Sequence, residues 1–112
     1  MYLLVAVINH KEQLNPVLEK FLGIGIKGAT ILDSTGMGRT ILDCEAPLVG
    51  GLRKLLLGQC RSHNATIFSV VESKEKVEEA IQAIESVTGD LNKTGIGIAF
   101  AVPLEFVKGF AG

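Results

Sequence analysis

A short segment that could bind an anion comes early in the sequence, where an arginine stands beside two glycines. Its residues are Gly36, Met37, Gly38 and Arg39. Glycine lets backbone N–H groups approach a ligand closely, and a guanidinium can hold a phosphate or a carboxylate through two hydrogen bonds. A solvated turn is the alternative, but the position of Arg39 between Gly38 and the end of a strand-like run favours a binding role.

A second glycine-rich segment follows a predicted helix and is also a candidate for anion binding. It contains Thr88, Gly89, Asp90 and Lys93. A helix C-cap followed by a turn explains Gly89 without any ligand. Lys93 is as compatible with a solvated turn as with an anion contact, so both interpretations stay open.

The connection that starts at Gly36, residues 36–64, is much longer than a hairpin needs. Connections of this length are usually functional or disordered. Leucines at helical spacing predict a short helix within it, and basic side chains outnumber acidic ones. A solvated surface is the simpler interpretation of the basic residues, and docking of a partner protein is the alternative. The candidates for partner binding are Arg53, Lys54, Leu55, Leu56 and Arg61.

No catalytic set or strong metal site can be recognised in the sequence. Cys60 and His63 have a C-x-x-H spacing and Cys44 is a conceivable third ligand, but no fourth ligand lies nearby. The common nucleotide-binding and hydrolase motifs are absent from the sequence. We therefore expect a protein that is not an enzyme and that has neither a metal site nor a cofactor.

The composition limits the class of protein further. The 112 residues suit one domain, residues 1–112, with a projecting loop at about 36–64. The net charge of −1 provides no basic field for nucleic acid. No apolar run approaches the roughly 20 residues that span a bilayer, and no signal-like segment is present. We expect a cytoplasmic protein that is not embedded in a membrane, with reduced thiols.

Hydrophobic periodicity predicts four strands and two helices. The strands are residues 2–9, 29–35, 65–72 and 95–103, and the first and third are apolar enough to be central. The first helix should bury Leu14, Val17, Leu18, Phe21 and Leu22, with Pro16 in its first turn. The second, capped by Ser73, should bury Val77, Ala80, Ile81, Ile84 and Val87 and stop at Gly89. Phe106 and Phe110 are expected to be packing residues.

The order βαββαβ predicts an α+β ferredoxin-like sandwich, an antiparallel sheet with two helices on one face. The other face of the sheet would then be uncovered. Apolar residues make up 47% of the chain, and strands this apolar should not leave a face in water. The pattern therefore favours a homo-oligomer in which sheets pack against one another.

The chain resembles the PII signal-transduction superfamily, the nitrogen regulatory protein P-II group and its relatives, along nearly its whole length. Residues 36–40, G-M-G-R-T, match the G-F-G-R-Q signature that follows the second strand of that family. Thr88, Gly89, Asp90 and Leu91 are similar to the family's loop after the second helix, and "VP" followed by "LEFV" resembles its terminal strand and short helix.

The resemblance implies a homotrimer that binds adenine nucleotides in clefts between subunits and regulates a partner protein through the long connection, the T-loop. It assigns ligand binding to Thr30, Gly36, Met37, Gly38, Arg39, Thr88, Gly89 and Asp90, with Lys93 as a possible substitute for a phosphate-binding lysine. Thr40 replaces the glutamine of 2-oxoglutarate-sensing members, and the loop has no tyrosine for uridylylation. A divergent PII-like protein, with another nucleotide, a small anion or no ligand, fits these differences.

Two alternatives use the same architecture. One is a CutA-like trimer with a metal-binding or structural role, for which the candidate residues are His10, Cys44, Cys60 and His63. The other is a ligand-free protein-interaction module whose leucine-containing loop docks a partner.

Overall fold

The computed structural model describes residues 1–37 and 64–111. In chain order its elements are β1 (Tyr2–Ile8), a 3-10 turn (Lys11–Gln13), α1 (Leu14–Gly23), β2 (Thr30–Ser34), β3 (Asn64–Val71), α2 (Lys74–Thr88) and β4 (Gly97–Pro103). Residues 38–63 lie outside the described part of the chain. They contain the predicted short helix, Gly38, Arg39, both cysteines and the partner-binding candidates.

The four described strands form one antiparallel sheet in the order β2-β3-β1-β4. The central strands are β1 and β3, as their continuous apolar sequences predict. Leu4, Ala6 and Ile8 of β1 alternate onto the face that packs against both helices, and all three are fully buried. The predicted ferredoxin-like α+β fold is confirmed.

Helix α1 packs through a narrower face than its sequence predicts. Val17 and Phe21 are buried and Leu14 and Leu18 pack at the edge of the core, but Leu22 is 64% exposed. The prediction for Leu22 is wrong. Successive helical residues are about 100° apart, so Leu22 points away from the core when its neighbour Phe21 points into it.

Helix α2 follows its prediction closely. The side chain of Ser73 accepts a hydrogen bond from the backbone N–H of Lys76 at 3.2 Å, which caps the first turn. Val77, Ala80 and Ile84 are buried, as is Ala83, which the sequence did not single out. The larger residues Ile81 and Val87 pack at the edge. Gly89 ends the helix with a φ of +88°, a value that favours glycine.

The sheet face away from the helices, which we call the open face, is mostly apolar and carries no charged residue at any strand position described. Its polar residues are Thr30, Ser34, Asn64 and Thr66. Its centre is Leu3, Val5 and Val7 of β1. Each is paired with a residue of β3 and a residue of β4 on the same face, in the rows Val70–Leu3–Val102, Phe68–Val5–Phe100 and Thr66–Val7–Ile98. Ile98, Phe100 and Val102 are between 42% and 56% exposed.

Strand β4 begins at Gly97, two residues later than predicted, and replacing this glycine should destabilise the sheet. Its φ is +148°, and a Cβ atom there would overlap the carbonyl oxygen of Val7 on the paired strand. We expect Gly97→Ala to lower the free energy of unfolding by about 1–3 kcal/mol, the usual cost of a strained backbone, in urea denaturation at fixed protein concentration.

The matched control is Gly23→Ala, at the end of α1. A Cβ at Gly23 meets nothing within 4 Å, and helix propensity favours alanine by about 0.5–1 kcal/mol. Equal stability losses in the two variants would contradict the explanation given for Gly97.

Candidate functional site

A cleft of about 620 Å³ lies at the end of the sheet where β2 begins and β3 ends. Three separate segments form most of its lining. They are the α1–β2 connection (residues 25–30), the last part of β3 and the residue after it (residues 68–72) and the segment after β4 (residues 107–111). The cleft also touches Leu3 and Lys76.

The α1–β2 wall of the cleft is held in place by hydrogen bonds. Ser69 donates its hydroxyl to the carbonyl oxygen of Gly28 at 2.6 Å, which ties the connection to β3. Lys76 donates its ammonium group to the carbonyl oxygen of Ile24 at 2.5 Å, which ties the end of α1 to α2. The backbone N–H of Ile26 donates to the carbonyl oxygen of Phe21 at 2.8 Å. This wall is therefore a fixed part of the framework.

The lining of the cleft suits an anion. Lys27 and Lys108 are exposed and come from two different segments of the lining, and Thr30 adds a hydroxyl group. Lys76 is partly buried, and its ammonium nitrogen already forms an ion pair with a carboxylate oxygen of Glu79 at 3.1 Å. Glu72 is the acidic residue of the lining. Ammonium and hydroxyl groups can donate hydrogen bonds to phosphate or carboxylate oxygens.

The structure separates the predicted ligand residues of the β2 region. Thr30 lines the cleft, but Gly36 and Met37 follow the other end of β2. Six residues of extended chain span about 20 Å, so these residues do not share one pocket with Thr30 in a single chain. Met37 is 79% exposed.

The predicted residues after α2 build a turn. Thr88 is 8% exposed and donates its hydroxyl to the carbonyl oxygen of Gly89 at 2.9 Å. The carboxylate of Asp90 accepts from the backbone N–H of Asn92 at 2.9 Å, and its carbonyl oxygen accepts from the N–H of Lys93 at 3.1 Å. The side chain of Lys93 is left exposed to solvent.

This turn lies at the same end of the sheet as Gly36 but at the opposite edge. The pairs Ser34–Asn64 and Ile8–Gly97 place the end of β2 and the start of β4 at one end of the sheet. Strands β2 and β4 are its two edges, three interstrand spacings apart, or about 14 Å.

The metal alternative has one candidate within the described residues. His10 is half exposed, and its Nδ1 lies 4.0 Å from a carboxylate oxygen of Glu12. Across residues 1–37 and 64–111, no cluster of three histidine, cysteine or acidic side chains could hold a metal ion. Cys44, Cys60 and His63 lie outside those ranges.

Sequence reasoning missed the cationic residues of the cleft. Lys27 was assigned no role from the sequence, and nothing in the sequence indicates that Lys108 lines the same cleft. The expectation that Phe106 packs is wrong, because its side chain is 81% exposed. Phe110 is half-buried and lines the cleft.

The fold and the cleft together define a ferredoxin-like domain with a bare apolar sheet face and a cationic cleft beside an edge strand. The family model described as nitrogen regulatory protein P-II matches residues 1–110. The chain therefore belongs to the P-II family, which supports a role as a PII-like signalling regulator. No curated protein gives a significant match to the sequence. Within the described residues, none of the helices has both the length and the apolar character needed to cross a membrane.

Proposed function

We propose that the protein is a homotrimeric, cytoplasmic PII-like regulator without enzymatic activity. It binds a small anionic ligand, with an adenine nucleotide as the first candidate, and controls a partner protein through residues 36–64. The observation that carries the proposal is the cleft, where Thr30, a residue that the resemblance assigns to ligand binding, lines the same space as Lys27 and Lys108. Family membership supports the regulatory role.

The open face supports assembly into a trimer. Its apolar rows run across three strands without a charge, and an antiparallel sheet that faces water would normally carry polar residues there. Contiguous exposed apolar surface of this kind marks an interaction site. Three copies that turn this face inward would remove it from water.

Assembly also explains why the predicted ligand residues are dispersed in one chain. In a closed ring, every copy has neighbours beside both of its sheet edges. Residues on opposite edges of a single sheet can then meet between two copies. In the proposed trimer the ligand site is completed by a neighbouring copy, which agrees with the inter-subunit clefts that the resemblance implies.

The partner-binding role of the connection rests on its sequence. Arg53, Lys54 and Arg61 offer positive charge, and Leu55 and Leu56 offer an apolar contact. Arginine is enriched in protein interfaces, and apolar side chains form much of their buried core. We propose that this segment contacts the regulated protein.

A melting-temperature screen tests the ligand proposal directly. The probes are ATP, ADP, AMP, bicarbonate and divalent metal ions, each added to the full chain. A ligand at 100 times its dissociation constant stabilises the native state by about 2.7 kcal/mol, so an adenine nucleotide should raise the melting temperature by several degrees. A shift with metal ions alone would support the CutA-like alternative, and no shift with any probe would support the ligand-free module.

Two substitutions should weaken the nucleotide response. Arg39→Gln removes the predicted guanidinium, and Thr30→Val removes the cleft hydroxyl while keeping a branched side chain of similar size. A charge-assisted hydrogen bond contributes about 1.5–3 kcal/mol, so Arg39→Gln should weaken binding by roughly 10–100-fold in calorimetry. Thr30→Val should have a smaller effect.

Lys20→Gln is the matched control, since Lys20 is exposed on α1 and does not line the cleft. It should bind the nucleotide as the unmodified chain does. Equal affinity in all three variants would contradict the assignment of Arg39 and Thr30.

A further inference from the structure

Ser69 is a polar residue within an apolar strand, and its side chain lies on the side of the sheet that faces the helices. The register pairs it with Leu4 of β1, which is fully buried on that side. Ser69 itself is 3% exposed. A hydroxyl group buried among apolar side chains is costly unless it makes a hydrogen bond. The Ser69 hydroxyl makes that bond with the carbonyl oxygen of Gly28, at 2.6 Å.

This bond holds the chain where the pairing of β2 with β3 has not yet begun. The first pair of these two strands is Thr30–Phe68, so Gly28 comes before the paired residues. Ser69 follows Phe68 on β3, and its side chain reaches the carbonyl oxygen two residues before Thr30. Gly28 and Thr30 both line the cleft. The hydroxyl group therefore restrains the segment that carries Thr30 into the cleft.

The other attachments of the α1–β2 connection act earlier in the chain. Lys76 holds the carbonyl oxygen of Ile24, and the backbone N–H of Ile26 is bonded within the end of α1. Within the described part of the chain, the Ser69 bond is the one side-chain hydrogen bond made to residues 27–29. The position of these residues therefore depends on Ser69 more than on the other attachments.

Ser69 acts through Gly28 and not as a donor to the ligand. A hydroxyl group has one hydrogen, and Ser69 donates it to Gly28, although Ser69 also borders the cleft. No hydrogen is then left for an anion. An alanine at this position would release the carbonyl oxygen and let the segment leave its place. The apparent affinity for a ligand falls with the fraction of molecules in the binding-competent conformation.

We propose that Ser69 is a positioning residue of the cleft, whose hydroxyl group holds the Gly28 carbonyl so that residues 28–30 are in place before the ligand arrives. This inference rests on the proposed function, because it requires that the cleft binds a ligand. It adds to that function a buried core residue that the resemblance does not assign to the site.

Calorimetry with ATP tests the proposal in the full chain. Ser69→Ala should weaken ATP binding by roughly tenfold, as expected if about a tenth of the molecules keep the competent wall. The titrations are made where urea denaturation shows every variant to be folded, so that a loss of stability alone does not change the affinity. Ser69→Cys keeps a side chain of similar size with only a weak donor, and it should weaken binding comparably.

Ser86→Ala is the matched control. The hydroxyl group of Ser86 on α2 also donates to a backbone carbonyl at 2.6 Å, that of Ala83, but Ser86 does not line the cleft. This variant should bind ATP as the unmodified chain does. Equal weakening in Ser69→Ala and Ser86→Ala would overturn the proposal, as would a Ser69→Cys variant that binds ATP normally.

Amide hydrogen exchange without ligand examines the wall itself. The peptide that covers residues 25–30 should exchange several-fold faster in Ser69→Ala than in the unmodified chain or Ser86→Ala, because a released segment opens more often. Unchanged exchange would overturn the positioning role. If the unmodified chain and Ser69→Ala bound ATP equally, this inference would fail and the proposed function would stand. If the unmodified chain did not bind ATP, both would fail.

Discussion

Replacing Phe100 with lysine is expected to convert the proposed trimer into single chains. Phe100 lies opposite Val5 at the middle of the open face and is 46% exposed in one chain, so a lysine there can reach water in the monomer. In the trimer, each copy would bring an ammonium group into an apolar interface, and burying an unpaired charge costs several kcal/mol. We expect association to weaken by roughly 1000-fold or more, equivalent to about 4 kcal/mol.

Sedimentation velocity or light scattering measures this directly. Three copies of the 11.9 kDa chain have a mass of about 36 kDa, which is readily distinguished from the mass of one copy. Leu22→Lys is the matched control, because Leu22 is 64% exposed on the helical side of the sheet. It should remain trimeric. A monomeric unmodified chain would contradict the trimer, and a trimeric Phe100→Lys variant would show that the open face is not the interface.

Truncating Phe21 to alanine is expected to cause the largest loss of folding stability from a single substitution. Its side chain is 1% exposed and is among the largest of the fully buried side chains in the core between α1 and the sheet. Phe→Ala changes in cores cost about 3–5 kcal/mol through lost burial and the cavity that remains. For a domain with a total stability of about 5–15 kcal/mol, this would leave a marginal fold.

The next residue provides the control. Leu22→Ala removes an apolar side chain from the same helix turn, but the side chain is mostly in water, so we expect a change within about 0.5 kcal/mol. Urea denaturation followed by far-ultraviolet circular dichroism, at one protein concentration for all variants, measures both. Similar losses for Phe21→Ala and Leu22→Ala would mean that the buried face of α1 has been misidentified.

The sequence predicts the framework well because the framework depends on local periodicity. Apolar runs and 3.6-residue patterns predicted the four strands and two α-helices that the structure describes, and Ser73 and Gly89 marked the ends of α2 correctly. Leu22 was assigned wrongly because periodicity places a residue on a helix without showing how wide the buried face is. Gly95 was taken as the start of β4 although Gly97 is the residue that approaches β1.

The cleft was harder to predict because it is a property of the folded chain. Thr30 was named through a family resemblance, while Lys27 and Lys108 lie 81 residues apart in the sequence and meet the same space only after folding. No local pattern connects two such residues. The roles of Gly36, Met37 and the turn after α2 remain predictions that depend on how copies would be arranged in the proposed trimer.

The position of β1 in the sheet has a consequence for the order of folding. Tyr2 pairs with Pro103 and also with Val71, so an early strand of the chain lies between two strands that are synthesised much later. Closing such a long loop is slow compared with forming local contacts. During synthesis, β1 would therefore keep an unpaired edge until β4 emerges, and during that time the growing chain would be most prone to aggregate.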